Sequence, residues 1–415
     1  MKIAIIESKL DGKGGSQRQA ISLALELQNM GNNVTVYTLA YDKDKCFTDM
    51  LNKLRIVQIA RRPAYKNIRV LHFFNYFRYS AAESRAARQL ALLIDPNTDV
   101  LNPHDRLGFR VAAYAKKLVS PFPVVLMMSD ILTKGWIAWR RGQFNKKYKP
   151  RWRQTLFNLV IDVYEVRKFI LPHEKIVVLD NRTKHWVKEY FGKEADVVRS
   201  GLDLEKFPYV ERHFLTEKKA AIFMAGIFFI HRRYEDAIRA VRILLDAGYH
   251  IKLSIAGNHS ANEEYAGYYK DLAAITNKLG LEKNVKFLGK ISDEELIGCY
   301  QQSDIYISPN HLQSWGLAVF EAMASGCPVI VSKTAGASEV LTDGVNTLLV
   351  NPKSPEEIAH AVKRLVDDAE LYQKLSKDGR VFVEKNISWQ HYAEGMLKVY
   401  NAAIKEKKNN GNPTS

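Results

Sequence analysis

The sequence predicts an α/β protein of two doubly wound parallel sheets facing a cleft. Three observations carry that expectation. Short apolar runs of strand character alternate with longer segments of helical period along the whole chain. The alternation breaks once, at RSGLDLEKFPYVERHFLTEKK (199–219), where periodicity weakens and charge accumulates. The chain's 415 residues also exceed the size, roughly 250–300 residues, at which a single core stops growing. The expected division is a first domain over 1–200, a linker over 201–219 and a second domain over 220–386. A final helix follows over 387–404, then a disordered tail over 405–415.

The first domain opens on KIAIIES (2–8), a strand that ends in the glycine-rich loop KLDGKGG. A helix over 16–30 follows, and Gly31 is a good residue to stop it. NVTVYTL (33–39), DVLNP (99–103), PVVLMM (123–128) and KIVVLD (175–180) read as further strands, with helices near 82–94, 107–118, 155–171 and 182–190. After the linker the pattern resumes. AAIFMAG (220–226), HIKLSIAG (250–257), VKFLGK (285–290), DIYISP (304–309), PVIVSK (328–333) and NTLLVN (346–351) are strands separated by helices, the first of them over 234–247. Alternating β and α units of this kind make parallel sheets, which bind ligands in the loops leaving the carboxyl ends of their strands.

Composition narrows the function classes. The formal charge is +16, from 61 Lys and Arg against 45 Asp and Glu. That points to an anionic partner. The excess is concentrated in two places. Residues 131–160 hold eight Lys or Arg and no acid, with Trp136, Trp139, Phe144, Tyr148, Trp152 and Phe157 between them. Residues 61–90 hold seven, with Glu83 the one acid, around the aromatic run HFFNYFRYS. No RNA-binding or helix-turn-helix pattern accompanies them, so an anionic membrane surface is expected and nucleic acid is not. No run reaches the ~18 apolar residues of a spanning helix. Cys46, Cys299 and Cys327 are odd in number and far apart, which suits a reduced compartment with neither a disulfide frame nor a zinc site. The start is read as a first strand and not as a signal peptide. A cytoplasmic protein, peripheral on the inner membrane face, is expected.

Five strand-end loops hold residues able to do chemistry. Gly12, Gly14 and Gly15 precede a helix start, where bare N–H groups suit phosphate; a flexible turn is the other reading. His104 and Asp105 follow the strand at 99–103 and can move a proton or bind hydroxyls, or Asp105 can simply cap the next helix. Ser129 and Asp130 follow the next strand, with the same two readings. Gly226 closes a strand ahead of Arg232 and Arg233, whose forks match diphosphate oxygens or else pair with Glu235 and Asp236. In the fifth loop Asn310, His311 and Gln313 precede Gly316 and an apolar helix whose one charge is Glu321. A buried carboxylate needs a cation or strong donors. A ribose diol supplies two O–H donors, and a Lys or Arg would serve structurally. Gln313 can complete a capping box with Asn310. Asp42 and Asp44 form a DxD string, but no apolar strand feeds it, so no metal is expected.

These residues carry a family resemblance. SPNHLQSWGLAVFEAMASGCPVIVS, followed by TAGASEVLTDGVNTLLV, resembles the donor-site core of the retaining glycosyltransferases of family 4, whose fold is two Rossmann-like domains (GT-B). GGSQRQAISLALELQNMGNNVTVYT, RSGLDLEKF and NISWQHYAE resemble that family's first loop and helix, its interdomain stretch and its last helix. GGSQRQ, YDKDKCF and LTKG are loosely similar to the mannosyltransferases that extend lipid-linked oligosaccharides. The resemblance implies transfer of a hexose, by that likeness mannose, from a nucleoside diphosphate sugar to a glycan or polyprenyl-linked acceptor. It implies retention of configuration and no metal or other cofactor. Glu321 would bind the donor ribose, and Gly316 and Leu317 would offer N–H groups to the diphosphate. Arg232 would take the place of the family's phosphate-binding Lys, with Gly226 and Asn310 beside it, and Gly14 and Gly15 would approach from the first domain. Three positions depart from the family. Gln313 replaces a Glu, Ile227 replaces an Arg that Arg233 could offset, and Met128, Ser129 and Asp130 stand where a His is usual. His104, Asp130 and Gln313 are therefore the catalytic candidates. The alternative is a degenerate subunit that binds nucleotide sugar or glycan without transfer.

Overall fold

The computed structural model describes residues 1–59, 72–129, 152–173, 175–260, 263–312 and 314–411. The chain divides into two compact units. Met1–Lys134, Trp152–Ser200 and Trp389–Ser415 form one, and Gly201–Ser388 forms the body of the other.

In the first unit the strands are β1 (Lys2–Ile6), β2 (Lys9–Leu10), β3 (Asn33–Thr38), β4 (Ala40–Tyr41), β5 (Arg55–Gln58), β6 (Val100–Pro103), β7 (Val125–Met127), β8 (Lys175–Val178) and β9 (Asp196–Val197). β5, β3, β1 and β6 lie side by side in that order, all parallel. β7, β8 and β9 form a second parallel set, and a bridge between Leu101 and Val124 runs from the first set toward it. β1 and β6 to β8 are buried almost throughout, as strands covered on both faces must be. The four-residue β5 and two-residue β9 lie outside the expected strands, because edge strands this short carry too little apolar pattern to read.

The second unit contains β10 (Lys219–Ala225), β11 (His250–Ala256), β12 (Val285–Gly289), β13 (Ile305–Ser308), β14 (Val329–Ser332) and β15 (Leu348–Val350). They form one parallel sheet in the order β12-β11-β10-β13-β14-β15. Ile222, Met224, Leu253 and Ile255 of the sheet pack with Val241 and Leu244 of helix Tyr234–Asp246 and with Val362 and Leu365 of helix Pro355–Asp367. The chain adds β11 on one side of β10 and returns to place β13 on the other. The loops leaving β10 and β13 therefore lie side by side at the point where strand order reverses, which is where open α/β sheets bind ligands.

Three expectations need correction. The stretch read as a linker is built into the second unit through Arg212, a 9% exposed residue whose guanidinium donates to the carbonyls of Tyr300, Gln301, Ser303, Ser325 and Gly326. The final helix spans Trp389–Gly411, so the chain is helical well past residue 405, where a disordered tail was expected. Lys and Glu, which dominate that stretch, are good helix formers. The helix expected at 82–94 is His72–Ala91, starting ten residues earlier.

Candidate active site

The loop leaving β10 begins at Gly226, whose φ of 152° only glycine adopts readily. A Cβ there would lie 3.1 Å from the Tyr234 hydroxyl and 3.3 Å from the Arg232 guanidinium carbon. Gly257 ends β11 beside it, and a Cβ on Gly257 would meet the Gly226 carbonyl at 2.0 Å. The two strand ends can approach this closely only because both are glycine. Their shared Ala-Gly ending is the sequence signal that would have found Gly257.

Arg232 and Arg233 part company. The Arg233 fork grips Asp236 at 2.7 and 2.9 Å and reaches Glu235 at 2.6 Å. Burial opposes its charge, but these two carboxylates raise its pKa overall. The expected diphosphate role for Arg233 is thereby corrected: its donors are engaged by the first turn of its own helix. That engagement also offsets the left-handed φ of 56° that Arg233 adopts. Arg232 has no ion pair among the described residues, and its buried Nε has no hydrogen-bond partner.

The loop leaving β13 is tied to the same place. The His311 N–H donates to the His231 carbonyl at 2.7 Å. Asn310 is buried, its amide donating to Ser308 Oγ at 2.8 Å, while Thr334 Oγ1 from the loop after β14 donates to the Asn310 carbonyl. Leu312 and Gly316 take left-handed φ values of 60° and 80°. Gly336 sits so close to this loop that a Cβ would lie 2.7 Å from the Ser314 backbone. Helix Leu317–Ala324 then starts directly after Gly316, with its first N–H groups at the carboxyl end of the sheet. Glu321 lies one turn in and is 6% exposed, its Oε2 accepting from the Tyr300 hydroxyl at 2.9 Å. Sequence reasoning missed Tyr300, since nothing in its helix marks one tyrosine as the partner of a carboxylate in the next. Gly226, Arg232, Asn310, Gly316, Leu317 and Glu321 are thus brought together in the second unit. Gln313 lies outside the described residues.

The first unit's candidates fare differently. Gly14 caps helix Gly15–Asn29 in extended conformation and Gly15 is exposed, both at the carboxyl end of β1. Below them a pocket of about 340 Å³ is lined by Glu7, Ser16, Asp105, Arg106 and Arg110, among others. Glu7 is buried, and desolvation together with the nearby Asp105 carboxylate pushes its pKa well up. Asp105 is a helix cap, accepting from the Gly108 N–H at 2.5 Å. His104 requires a correction. It is 4% exposed, and its Nε2 lies 2.8 Å from Asn102 Oδ1, which also accepts from the Tyr400 hydroxyl at 2.8 Å. Asn102 donates its N–H₂ to the Val125 carbonyl, so its oxygen faces the ring and His104 Nε2 must be the donor. Burial lowers the His104 pKa to about 3. The final helix covers this strand end, so His104 is a neutral core residue and not a proton-transfer group. Asp130 lies outside the described residues. Its neighbour Ser129 donates to Gln19 Oε1 at 2.9 Å. Asp42 of the DxD string is held by Lys45 at 2.8 Å.

Residues 205–382 match the family Glycosyl transferases group 1. The chain carries a group 1 glycosyl transferase domain. An uncharacterized glycosyltransferase of Methanocaldococcus jannaschii is 26% identical over 414 residues, 97% of this chain and 99% of the relative. The D-inositol 3-phosphate glycosyltransferase of Nocardia farcinica is 31% identical over 65% of this chain and 66% of its own length. Among solved structures, Anabaena HepE in complex with UDP and glucose superposes with a TM-score of 0.71 at 16% identity, covering 97% of this chain and 100% of HepE. The fold is the parallel-sheet α/β fold of the GT-B glycosyltransferases. The group 1 domain coincides with the second unit, and the loops after β10 and β13 both fall inside it.

Proposed function

We propose that the protein is a retaining, metal-independent glycosyltransferase of family 4 that moves a hexose from a nucleoside diphosphate sugar to an acceptor hydroxyl. The observation that carries this reading is the pairing of two anion-ready groups at the strand-order reversal. Among the described residues these are an Arg232 guanidinium without an ion pair and the N-terminus of helix Leu317–Ala324, which has no side-chain cap, with buried Glu321 one turn away. The group 1 domain and the UDP held by HepE, the fold neighbour, support a nucleotide donor.

In this reading Glu321 accepts hydrogen bonds from the ribose hydroxyls, sharing its carboxylate with Tyr300. Arg232 and the backbone N–H groups of the Gly316–Leu317 turn neutralise the diphosphate as its charge develops. The bond from the sugar's anomeric carbon to the diphosphate breaks, and the acceptor oxygen bonds to that carbon on the same face. The acceptor proton passes to the departing phosphate oxygen, so no protein base is required, which agrees with a His104 locked in the core. The sugar is a mannose by the N-terminal likeness, and the acceptor is a glycan or polyprenyl-linked sugar. An anionic membrane surface is the proposed location. Helix Trp152–Phe169 exposes Leu159, Val160, Val163 and Tyr164 along one stripe, close to Arg167 and Lys168. Among the described residues no helix is long and apolar enough to cross a membrane.

The test is release of nucleoside diphosphate from a panel of sugar nucleotides with lipid-linked and free glycan acceptors. Glu321→Ala is expected to weaken donor use by about a hundredfold, the loss of two charge-assisted hydrogen bonds. Wild-type turnover by Glu321→Ala overturns the site, and nucleotide binding without transfer points to the degenerate subunit. Salt-sensitive binding to anionic liposomes is expected, and its absence removes the membrane location.

A further inference from the structure

Among the tyrosines around the loop after β10 and the helix beside it, three near the site have hydroxyls in use. Tyr300 donates to Glu321, Tyr306 to the Ala225 carbonyl and Tyr268 to Glu235. Tyr234 differs. It is 1% exposed, and its hydroxyl has no hydrogen-bond partner. Its ring packs 5.2 Å from that of Phe228, a contact that a phenylalanine would make equally well. A buried hydroxyl without an acceptor carries its desolvation cost uncompensated. The second orphan donor of this region, Arg232 Nε, is its neighbour. Tyr234 Oη and the Arg232 guanidinium approach the same point, 3.1 and 3.3 Å from where a side chain on Gly226 would begin. The Tyr234 hydroxyl and the Arg232 guanidinium thus pack together against a glycine that puts no side chain between them, and each carries a buried donor without an acceptor. An anionic oxygen is the partner both donors call for.

We propose that Tyr234 is a diphosphate-binding residue, its hydroxyl and the Arg232 guanidinium together holding one non-bridging phosphate oxygen of the donor. This rests on the nucleotide-sugar reading above and adds a residue to it. The arginine that the family resemblance leads one to expect at 227 is an exposed Ile, and Arg233 is occupied by its own carboxylates. Tyr234 supplies the missing donor from below the loop. In the structure the Arg232 guanidinium lies beside the hydroxyl, and a shift of this uncommitted side chain onto the phosphate opens the way to it.

Binding of UDP, GDP and ADP, and of the matching nucleosides, is measured by calorimetry on the full chain and on Tyr234→Phe. The variant is expected to bind its preferred diphosphate about tenfold more weakly while its nucleoside affinity is unchanged. Its ligand-free melting temperature is expected to equal or exceed wild type, since an unsatisfied hydroxyl is gone. Diphosphate affinity within twofold of wild type overturns the proposal and leaves the nucleotide reading intact. If the wild type binds no diphosphate, the nucleotide reading fails and the proposal with it. A second measurement does not depend on the variant's folding. In wild-type protein carrying ¹³C-labelled tyrosine, one buried ring-hydroxyl carbon is expected to shift on addition of inorganic pyrophosphate. An unchanged spectrum at saturating pyrophosphate also overturns the proposal.

Discussion

His104 and His173 show how burial decides what a titratable residue does. Each is almost fully enclosed, and desolvation lowers the pKa of both to about 3, with Lys116 contributing at His173. The unfolded chain protonates the same residues near 6.5, so between about pH 6.5 and 3 the unfolded state holds more protons. Stability is then fully present above pH 6.5 and is lost as pH falls through that window. Each residue contributes a slope of roughly 1.4 kcal/mol per pH unit at most. Urea unfolding of His104→Gln at pH 7, 6 and 5 is expected to show a shallower decline than wild type; an identical decline would remove His104 as the cause. The same scale separates Arg232 from Arg233. Adjacent in sequence and alike in type, they differ because a left-handed turn at Arg233 aims its fork at Glu235 and Asp236. Composition and spacing cannot reveal that turn.

At the scale of elements, the helix that bears Glu321 is held at its far end by the segment before β10. Arg212 donates to carbonyls at Ser325 and Gly326, just past the helix, and to three more on Tyr300, Gln301 and Ser303. Arg380 adds a bond to the Ala324 carbonyl at 2.6 Å. Gly326 lets the chain pass, since a Cβ there would lie 2.6 Å from the Val210 carbonyl. Arg212→Met keeps the aliphatic stem and deletes every donor, leaving buried carbonyls unsatisfied. It is expected to cost about 3 kcal/mol, measured by chemical denaturation, and to weaken nucleotide binding because Tyr300 and helix Leu317–Ala324 lose a common anchor. A loss below ~0.5 kcal/mol would show that water satisfies these carbonyls instead. Sequence reading took 199–219 for a linker because its periodicity is weak and its charges crowd together; one of those charges is a structural hub.

At the scale of the molecule, the second unit is self-contained. Its core lies within residues 215–375, and each donor-site residue brought together above falls between 226 and 321. A fragment spanning 201–388 is therefore expected to unfold cooperatively by itself and to bind nucleoside diphosphate with an affinity close to that of the full chain. A fragment that is soluble but unstructured would show that the second unit depends on the first. Helix Trp389–Gly411 belongs to the first unit although it follows the second in sequence, with Tyr392 bonded to Gln19 and Tyr400 to Asn102.

The sequence by itself determined the fold class, the central strands of both sheets and the loops to search. Alternating apolar runs must be buried, and parallel sheets place their strand ends together. It also marked Glu321, because one carboxylate in an apolar helix demands a partner. Only the tertiary structure decided which polar residues remain free to act. His104 was taken into the core by a helix some 300 positions away, Arg233 was claimed by its own helix, and Arg212 was drawn in from an apparent linker. Tyr234 and Arg232 were left with donors and no acceptors. Hydrogen-bond satisfaction depends on which groups the whole fold brings within about 3 Å, and that is not a property of any local stretch of sequence.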